Sequence, residues 1–353
     1  MSVSIVIPNW NGLELLTSFF PSVIAAAEQY RARSRAEIEV IVVDDASTDD
    51  GLEWLREHCG HLEFVTVLSN DTNLGFLRTV NKGFSAAKGD VVFLLNSDVA
   101  VEDSCIGPLV RHFDDPNVFA VCCRAGRINS GRLDGGGKIG RFERGFWRVF
   151  LNYEAIPEDE TGQLASFFGS GGYTAYDRKK WTRLRGFQDC LTPNYWEDVE
   201  ICYRAWKRGW KVLYEPDSHV RHLGSATMRK KPMHAEMAVV TERNRLLMTW
   251  INLHDRKMFA YHLVWLTVKL LGSAVSLKWN YLRSFSTAFG KLAEVRAQRR
   301  TEKKEAMITD TQLVQKFAEL VKRPGIYVVA TEAEEHAFKE LRDLRAVEHT
   351  SEQ

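Results

Sequence analysis

The sequence predicts an α/β fold built on a mostly parallel sheet. Two observations carry this. Apolar runs rich in Val and Ile alternate with helical segments through the first half of the chain, the pattern of strands buried on both faces. Three of these runs also end in polar clusters, at Asn9 to Asn11, Asp44 and Asp45, and Asn96 to Asp98. In such sheets ligands sit beyond the carboxyl ends of the strands, so the clusters point to one site.

In chain order, "SIVIPNW" is a buried strand ending near Pro8, and "LELLTSFFPSVIAAAEQYRAR" is a helix. "IEVIVVDDAS" is a second strand, "GLEWLREHC" a helix, "EFVTVLSN" a strand and "FLRTVNKGFSAAKG" a helix. "DVVFLLNSDV" is a further buried strand with an acidic end. Residues 124–165 are rich in Gly and Arg and read as a mobile loop or hairpin that could act as a lid. "FFGSGGYTAYDRKKW" puts a glycine turn before a strand, and "GWKVLYEPDSHVRHLGS" supplies a short strand and a loop holding His219 and His222. "HAEMAVVTERNRLLMTWINL" is helical.

Residues 258–277 are long and apolar enough to suggest a membrane span. Lys269 near the middle opposes that, at about 2.5–3.5 kcal/mol. On a helix His262, Lys269, Ser273, Ser276 and Asn280 share one narrow stripe. This favours a helix lying in a membrane surface or docking a partner, with Arg256, Lys257, Lys278 and Arg283 available to acidic lipid. The alternative is a helix packed on its own domain. "KLAEVRAQRRTEKKEAM" is a charged, solvated helix, and residues 310–353 form a helix–strand–helix tail around "GIYVVA". The expected organisation is a catalytic domain at 1–250, a helical extension at 251–308 and a small α/β tail at 309–353.

With 353 residues and a net charge of +1, the chain can bury a full core and has no global field to draw it onto nucleic acid. The six cysteines show no CxxC pair, so reduced thiols in a cytosolic protein are expected. No basic segment or cleavable apolar segment precedes the first strand, so no signal peptide is expected.

The chemistry gathers at the acids. Asp98, at the end of a buried strand, suits a hard divalent cation, although a turn-capping role would explain it alone. His222 is a nitrogen donor that could complete such a site, with His219 as its competitor. Asp45 could accept hydrogen bonds from a base or ribose, and Trp10 offers a flat face or a core side chain. In "NYWEDVEICYRAWKRG", Glu197, Asp198 and Glu200 open a helix that needs one acid at most. Glu200 is expected to pair with Arg204, one helical turn on.

"SIVIPNWNG", "VVDDASTDDG", "NLGF", "VVFLLNSDV", "GSGGYTAYDRKKWTRLRGFQD" and "NYWEDVEICYRAWKRGWKVLYEPDSHVRH" together resemble, in order and spacing, the family 2 glycosyltransferases over residues 1–250. The wording of "NLGF" and "LLNSDV" is most similar to the rhamnosyltransferase-like branch. The resemblance implies a GT-A fold and inverting, metal-dependent sugar transfer. It makes Asp198 the catalytic base, Asp98 and His222 the ligands of Mn²⁺ or Mg²⁺, and Asp45 and Trp10 the contacts to the nucleotide base. Pro8, Asn11, Asn73, Asn96 and Ser97 join them on the nucleotide-sugar side. Trp196 and Glu197 fall in the acceptor site, and Gly171 and Gly172 form a turn that lets sugars approach backbone.

Three positions depart from the family pattern. Asn96-Ser97-Asp98 lacks the first acid of Asp-x-Asp. Phe187-Gln188-Asp189 replaces Phe-Asp-Glu. The Gln-x-x-Arg-Trp motif of processive synthases is absent, which argues against a polymerase.

The expected donor is a nucleotide-diphosphate sugar, dTDP-rhamnose first. The expected acceptor is a glycan or a polyprenyl-diphosphate-linked sugar in cell-surface polysaccharide synthesis, made at the inner face of the cytoplasmic membrane. Two alternatives remain: a nucleotidyltransferase on the same fold, which would need basic residues near "PNWNGLELL", and a glycan-binding scaffold with a decayed site.

Overall fold

A computed structural model describes residues 1–156, 162–224, 231–331 and 334–339. The chain opens with β1 (Val3–Asn9), α1 (Leu13–Ser34), β2 (Ile38–Asp44), α2 (Gly51–Cys59), β3 (Val65–Ser69), α3 (Phe76–Ala86) and β4 (Val91–Leu95). The three strands β1, β2 and β4 have almost every side chain buried, as strands covered on both faces by helices must. Helix α3 buries Leu77, Val80 and Phe84, spaced to share one face, against β1 and β2.

Next come β5 (Val99–Val101), α4 (Ile106–Arg111), β6 (Val118–Arg127), β7 (Leu133–Gly135), β8 (Gly137–Glu143), β9 (Phe146–Ala155), β10 (Tyr173–Asp177), α5 (Arg178–Leu184), α6 (Glu197–Lys207) and β11 (Lys211–His222). The main sheet runs β3-β2-β1-β4-β10-β6-β11-β5, with β7 paired to β6. Strands β3, β2, β1 and β4 are parallel, while β10 is antiparallel to both its neighbours. That one reversed strand brings the glycine turn before β10 to the carboxyl end of β4.

Helices α7 (Lys231–Asn252), α8 (Arg256–Val275), α9 (Trp279–Phe289), α10 (Leu292–Glu305) and α11 (Asp310–Leu320) lead to β12 (Ile326–Val329). β12 pairs with β9 in a second, antiparallel sheet, β12-β9-β8. Leu313, Phe317, Leu320 and Ile326 join the core that also holds Trp206 and Phe167. Asp310, fully buried, accepts hydrogen bonds from Tyr203, Lys207 and the backbone of His254 and Asp255. The described part of the tail is thus packed against the catalytic half. The end of its last expected helix, 340–353, lies outside the described residues.

For 124–165 the hairpin alternative holds and the mobile loop does not: its described part carries the end of β6 and all of β7, β8 and β9, with β8 and β9 paired antiparallel across a two-residue turn. Residues 157–161 lie outside the described residues. A second expectation is corrected. His219 and His222 sit on β11 itself, a strand of 12 residues, since 219–222 pair with β6 and 220–222 also with β5.

Helix α8 turns its polar residues inward. His262 is fully buried and takes the Trp250 indole N–H, while Lys269 pairs with Glu242 at 3.0 Å. Tyr261, Leu263, Val264, Val268, Leu271 and Val275 face outward and are exposed. It is the one helix among the described residues long and apolar enough to cross a membrane. Arg256, Lys257 and Lys278 flank it in solvent, while Arg283 pairs with Glu236 at 2.6 Å.

Candidate active site

β5 and β11 are antiparallel with Val99 opposite His222, so the register alone sets Asp98 beside that histidine. Asp98 Oδ2 lies 3.3 Å from His222 Nε2, and Asp134 Oδ2 lies 2.7 Å from His222 Nδ1. Burial lowers the affinity of His222 for a proton, but the two carboxylates outweigh it and raise its pKa to about 9. The arrangement fits a hard divalent cation. As it stands the charged ring faces Asp134 through Nδ1 and Asp98 through Nε2; a cation bound by Asp98 would replace the Nε2 proton while Asp134 keeps the Nδ1 proton, a carboxylate–histidine–metal order. Asp98 and His222 would supply two protein ligands, which would leave coordination positions for other oxygens. No group of three or more His, Cys, Asp or Glu side chains suited to a metal ion occurs among the described residues. His219 instead lies 3.4 Å from Glu102 and does not join the pair.

Two backbone hydrogen bonds connect this pair to the acids of α6. The Asn96 N–H donates to Gly172 O at 2.9 Å, and the Gly171 N–H donates to Asp198 Oδ2 at 3.1 Å. The other Asp198 oxygen accepts from the Val199 N–H at 2.7 Å. Asp198 is therefore anchored by backbone amides on both oxygens. Its carboxyl is raised above the ordinary aspartate range, chiefly by burial, against the pull of these amides and of Lys138. Glu197 is raised well above its usual range by burial and by Asp198, so the pair holds a proton that two isolated carboxylates would not.

The glycine turn does a different first job from the expected one. A Cβ at Gly172 would lie 2.8 Å from Asn96 Nδ2, so that glycine makes room for Asn96. Trp196 caps α6 with its indole buried and the Arg245 guanidinium 5.9 Å from its ring, directly before Glu197 and Asp198. Glu200 and Arg204 pair as expected, with Arg204 Nε and one terminal nitrogen 2.9 and 2.8 Å from Glu200 Oε2.

On the other side, Trp10 is 46% exposed and free to stack, which excludes the core alternative. Asn11, in the left-handed region, binds the Ser47 hydroxyl and the Thr48 N–H and ties the first two strand ends together. Asp45 is buried, and its oxygens take Asn70, the Leu74 N–H and the Gly75 N–H. It holds the 73–75 loop, and its carboxylate is not freely presented to a base. Asn73 is exposed on that loop. Pro8 lies on β1 opposite Val43, and the Ser97 hydroxyl lies near Gly12, beyond the end of β1.

Sequence reasoning placed Asp44 in a strand-end cluster without giving it a role, and it missed Asp134 and Lys138. Asp44 binds Asn9 and Ser47 beneath the strand ends. Lys138, buried on β8, donates to Asn152 Oδ1 at 2.6 Å and acts electrostatically on Asp134 and Asp198. Asp134 and Lys138 sit in the stretch taken for a lid, and a lone Asp before three glycines carries no signal of its own.

The sequence model of "Glycosyl transferase family 2" matches residues 4–183. Among curated proteins, the probable N-acetylgalactosaminyltransferase 9 of Caenorhabditis elegans is 27% identical over 195 residues, covering 52% of this chain and 34% of that protein. Polypeptide N-acetylgalactosaminyltransferase 10 of Mus musculus is 27% identical over 232 residues, covering 63% and 38%. The chain thus spans little more than a third of the length of these relatives.

Among solved structures, GalNAc-T7 with UDP, GalNAc and Mn²⁺ superposes with a TM-score of 0.58 at 23% identity, covering 73% of this chain and 49% of that one. S. aureus TarS 1-349 gives 0.52 at 16% identity, covering 91% of each. These likenesses show the fold, a GT-A arrangement with additional C-terminal helices.

Proposed function

Because the chain belongs to glycosyl transferase family 2, we propose that its site moves a sugar from a nucleotide-diphosphate sugar to a hydroxyl with inversion at the anomeric carbon. One observation carries this. A carboxylate–histidine pair and a buried, amide-anchored carboxylate are linked through the Asn96–Gly172 and Gly171–Asp198 hydrogen bonds. An inverting transfer needs those two functions on opposite sides of one sugar.

Asp198 takes the proton of the acceptor hydroxyl as it attacks the anomeric carbon. Its raised pKa makes it a better base than an exposed aspartate. Glu197 supplies a neutral carboxyl that orients the hydroxyl. Asp98 and His222 hold Mn²⁺ or Mg²⁺, which when bound offsets charge on the departing diphosphate. Trp10 stacks on the base, and Asn11, Asn73, Asn96 and Ser97 line the donor side.

Support for this metal and donor class comes from relatives of the same fold, whose structures hold UDP with Mn²⁺ and GDP-Man with Mn²⁺. Support for an active enzyme comes from Asp98, Asp198 and His222 all being in place, which also disfavours a decayed binding protein. dTDP-rhamnose is the first donor to try. UDP-N-acetylhexosamines and GDP-mannose follow from the relatives.

The acceptor is a glycan or polyprenyl-diphosphate-linked sugar of a surface polysaccharide, reached at the inner face of the cytoplasmic membrane. The outward apolar face of α8 supports that placement. Flotation with anionic vesicles tests it: Val264→Glu with Leu271→Glu abolishes co-flotation, and recovery equal to the parent protein refutes it.

The activity test incubates the protein and Mn²⁺ with UDP-, GDP- and dTDP-sugars and follows released nucleoside diphosphate. Release from one donor, lost in Asp98→Ala, supports the proposal. No release and no binding of any donor overturns it.

A further inference from the structure

We propose that Asn244 of α7 is the positioning residue that sets the catalytic acids, by clamping the loop that leads into them. The proposal rests on Asp198 being the base.

The Asn244 side chain is fully buried. Its amide nitrogen donates to Leu191 O at 2.6 Å, Asn194 O at 2.9 Å and Tyr195 O at 2.9 Å. Two protons thus serve three carbonyls within five residues of chain. Its oxygen accepts from Arg243 Nε at 2.9 Å, and Arg243 itself donates to Thr192 O at 2.5 Å. The orientation is forced, because an oxygen in place of that NH₂ would face three carbonyl oxygens.

Local backbone hydrogen bonds, Leu191 N–H to Gln188 O at 3.0 Å and Thr192 N–H to Asp189 O at 3.1 Å, shape the start of the clamped loop, and 193–196 is strained. Tyr195 and Trp196 both have φ of 71°, in the left-handed region, and neither is glycine. Each such residue costs roughly 1–2 kcal/mol. Thr192 Oγ1, Asn194 Oδ1, Trp196 Nε1 and Glu197 Oε2 are buried without a hydrogen-bond partner among the described residues. The geometry of 193–196 is therefore imposed from outside, and Asn244 and Arg243 are what impose it. Trp196 is directly followed by Glu197 and Asp198, so rotation at 195 or 196 swings both carboxyl groups. About two turns further along α7, Asn252 donates to Glu200 Oε1 at 3.0 Å. α7 thus grips the approach to α6 and its first turn together.

Catalytic geometry tolerates little: a misplacement of about 1 Å costs on the order of 100-fold in rate. The effect should fall on turnover and spare the donor, which Asp98, His222 and the first strand ends hold.

The test compares Asn244→Ala, Asn244→Asp and Arg243→Ala with the parent protein. Turnover and donor KM are measured with the nucleotide sugar that the panel identifies, and amide hydrogen exchange is followed over 191–199. Turnover falls about 10–100-fold in both Asn244 variants and less in Arg243→Ala, while donor KM stays within about twofold. Exchange rises over 191–199 and not across β1 to β4. Tyr195→Gly in the Asn244→Ala background restores part of the turnover, because glycine adopts positive φ without cost.

Unchanged turnover in Asn244→Ala, or donor KM worsening in parallel with turnover, overturns the clamp. If the Asn244 variants do not fold, unchanged turnover and exchange in Arg243→Ala overturn it. An Asp198→Asn variant with parental activity refutes the base assignment instead. An inactive Asp198→Asn beside a fully active Asn244→Ala refutes the clamp alone.

Discussion

Replacing Arg204 by Met breaks the buried pair within α6, the helix that opens with Glu197 and Asp198. Both side chains of the Glu200–Arg204 pair are fully buried, and the contact is two-pronged at 2.8 and 2.9 Å. Arg204 also donates to Leu184 O and, at 2.8 Å, to Gly186 O, and Glu200 accepts from Asn252. Removing one partner of a buried pair costs about 3–5 kcal/mol, because the other is left uncompensated. For a chain of 353 residues the unfolding entropy is about 0.7 kcal/mol per kelvin, so the midpoint falls by about 4–7 °C.

Burial raises the Glu200 carboxyl despite the opposing pull of Arg204, and losing Arg204 raises it further. Unfolding at neutral pH then releases a proton, which favours the unfolded chain. The deficit therefore shrinks as pH falls toward the ordinary glutamate range, where both states hold the proton. Replacing both residues by Met is milder than the sum of the two single changes, leaving the unpaired carbonyls of 184 and 186 at about 1–3 kcal/mol each. Differential scanning calorimetry of the three variants between pH 4 and 8 measures this. A midpoint for Arg204→Met within about 1 °C of the parent at pH 7, or losses that simply add, would refute the reasoning.

Other outcomes follow from the site. Asp134→Asn weakens Mn²⁺ binding about 10–100-fold by freeing the His222 ring, read by titration calorimetry; unchanged affinity would leave Asp134 without this role. Transfer falls as pH drops through the raised Asp198 pKa, because only the ionised carboxylate accepts a proton, and this acid limb lies above the ordinary aspartate range. Lys138→Met moves the limb to still higher pH, since Lys138 favours ionised Asp198; a shift downward would contradict it.

The sheet was legible because strands buried on both faces must be continuously apolar, as "VVFLL" and "IEVIVV" are, and because polar residues at their ends have no use in a core. Asp198 and the Glu200–Arg204 pair were legible because helical spacing is local. The contacts that complete the site come from pairing across sequence. Asp134 reaches His222 only because β7 and β11 both pair with β6, and nothing near "RLDGGGK" signals that. The stretch 124–165 looked like a loop because its glycines dominate its composition, yet several of those glycines sit in strands. The clamp on the 191–195 loop comes from a residue 50 positions away from Asn194, beyond the reach of any local pattern.

The most direct test of the account is acceptor-dependent release of nucleoside diphosphate from the preferred donor with Mn²⁺, comparing the parent protein, Asp198→Asn and Asp98→Ala. The account predicts that Asp198→Asn binds donor normally but loses transfer by about 100- to 10,000-fold, while Asp98→Ala loses metal-dependent donor binding itself. Full transfer by Asp198→Asn, or metal-dependent donor binding intact in Asp98→Ala, would contradict it.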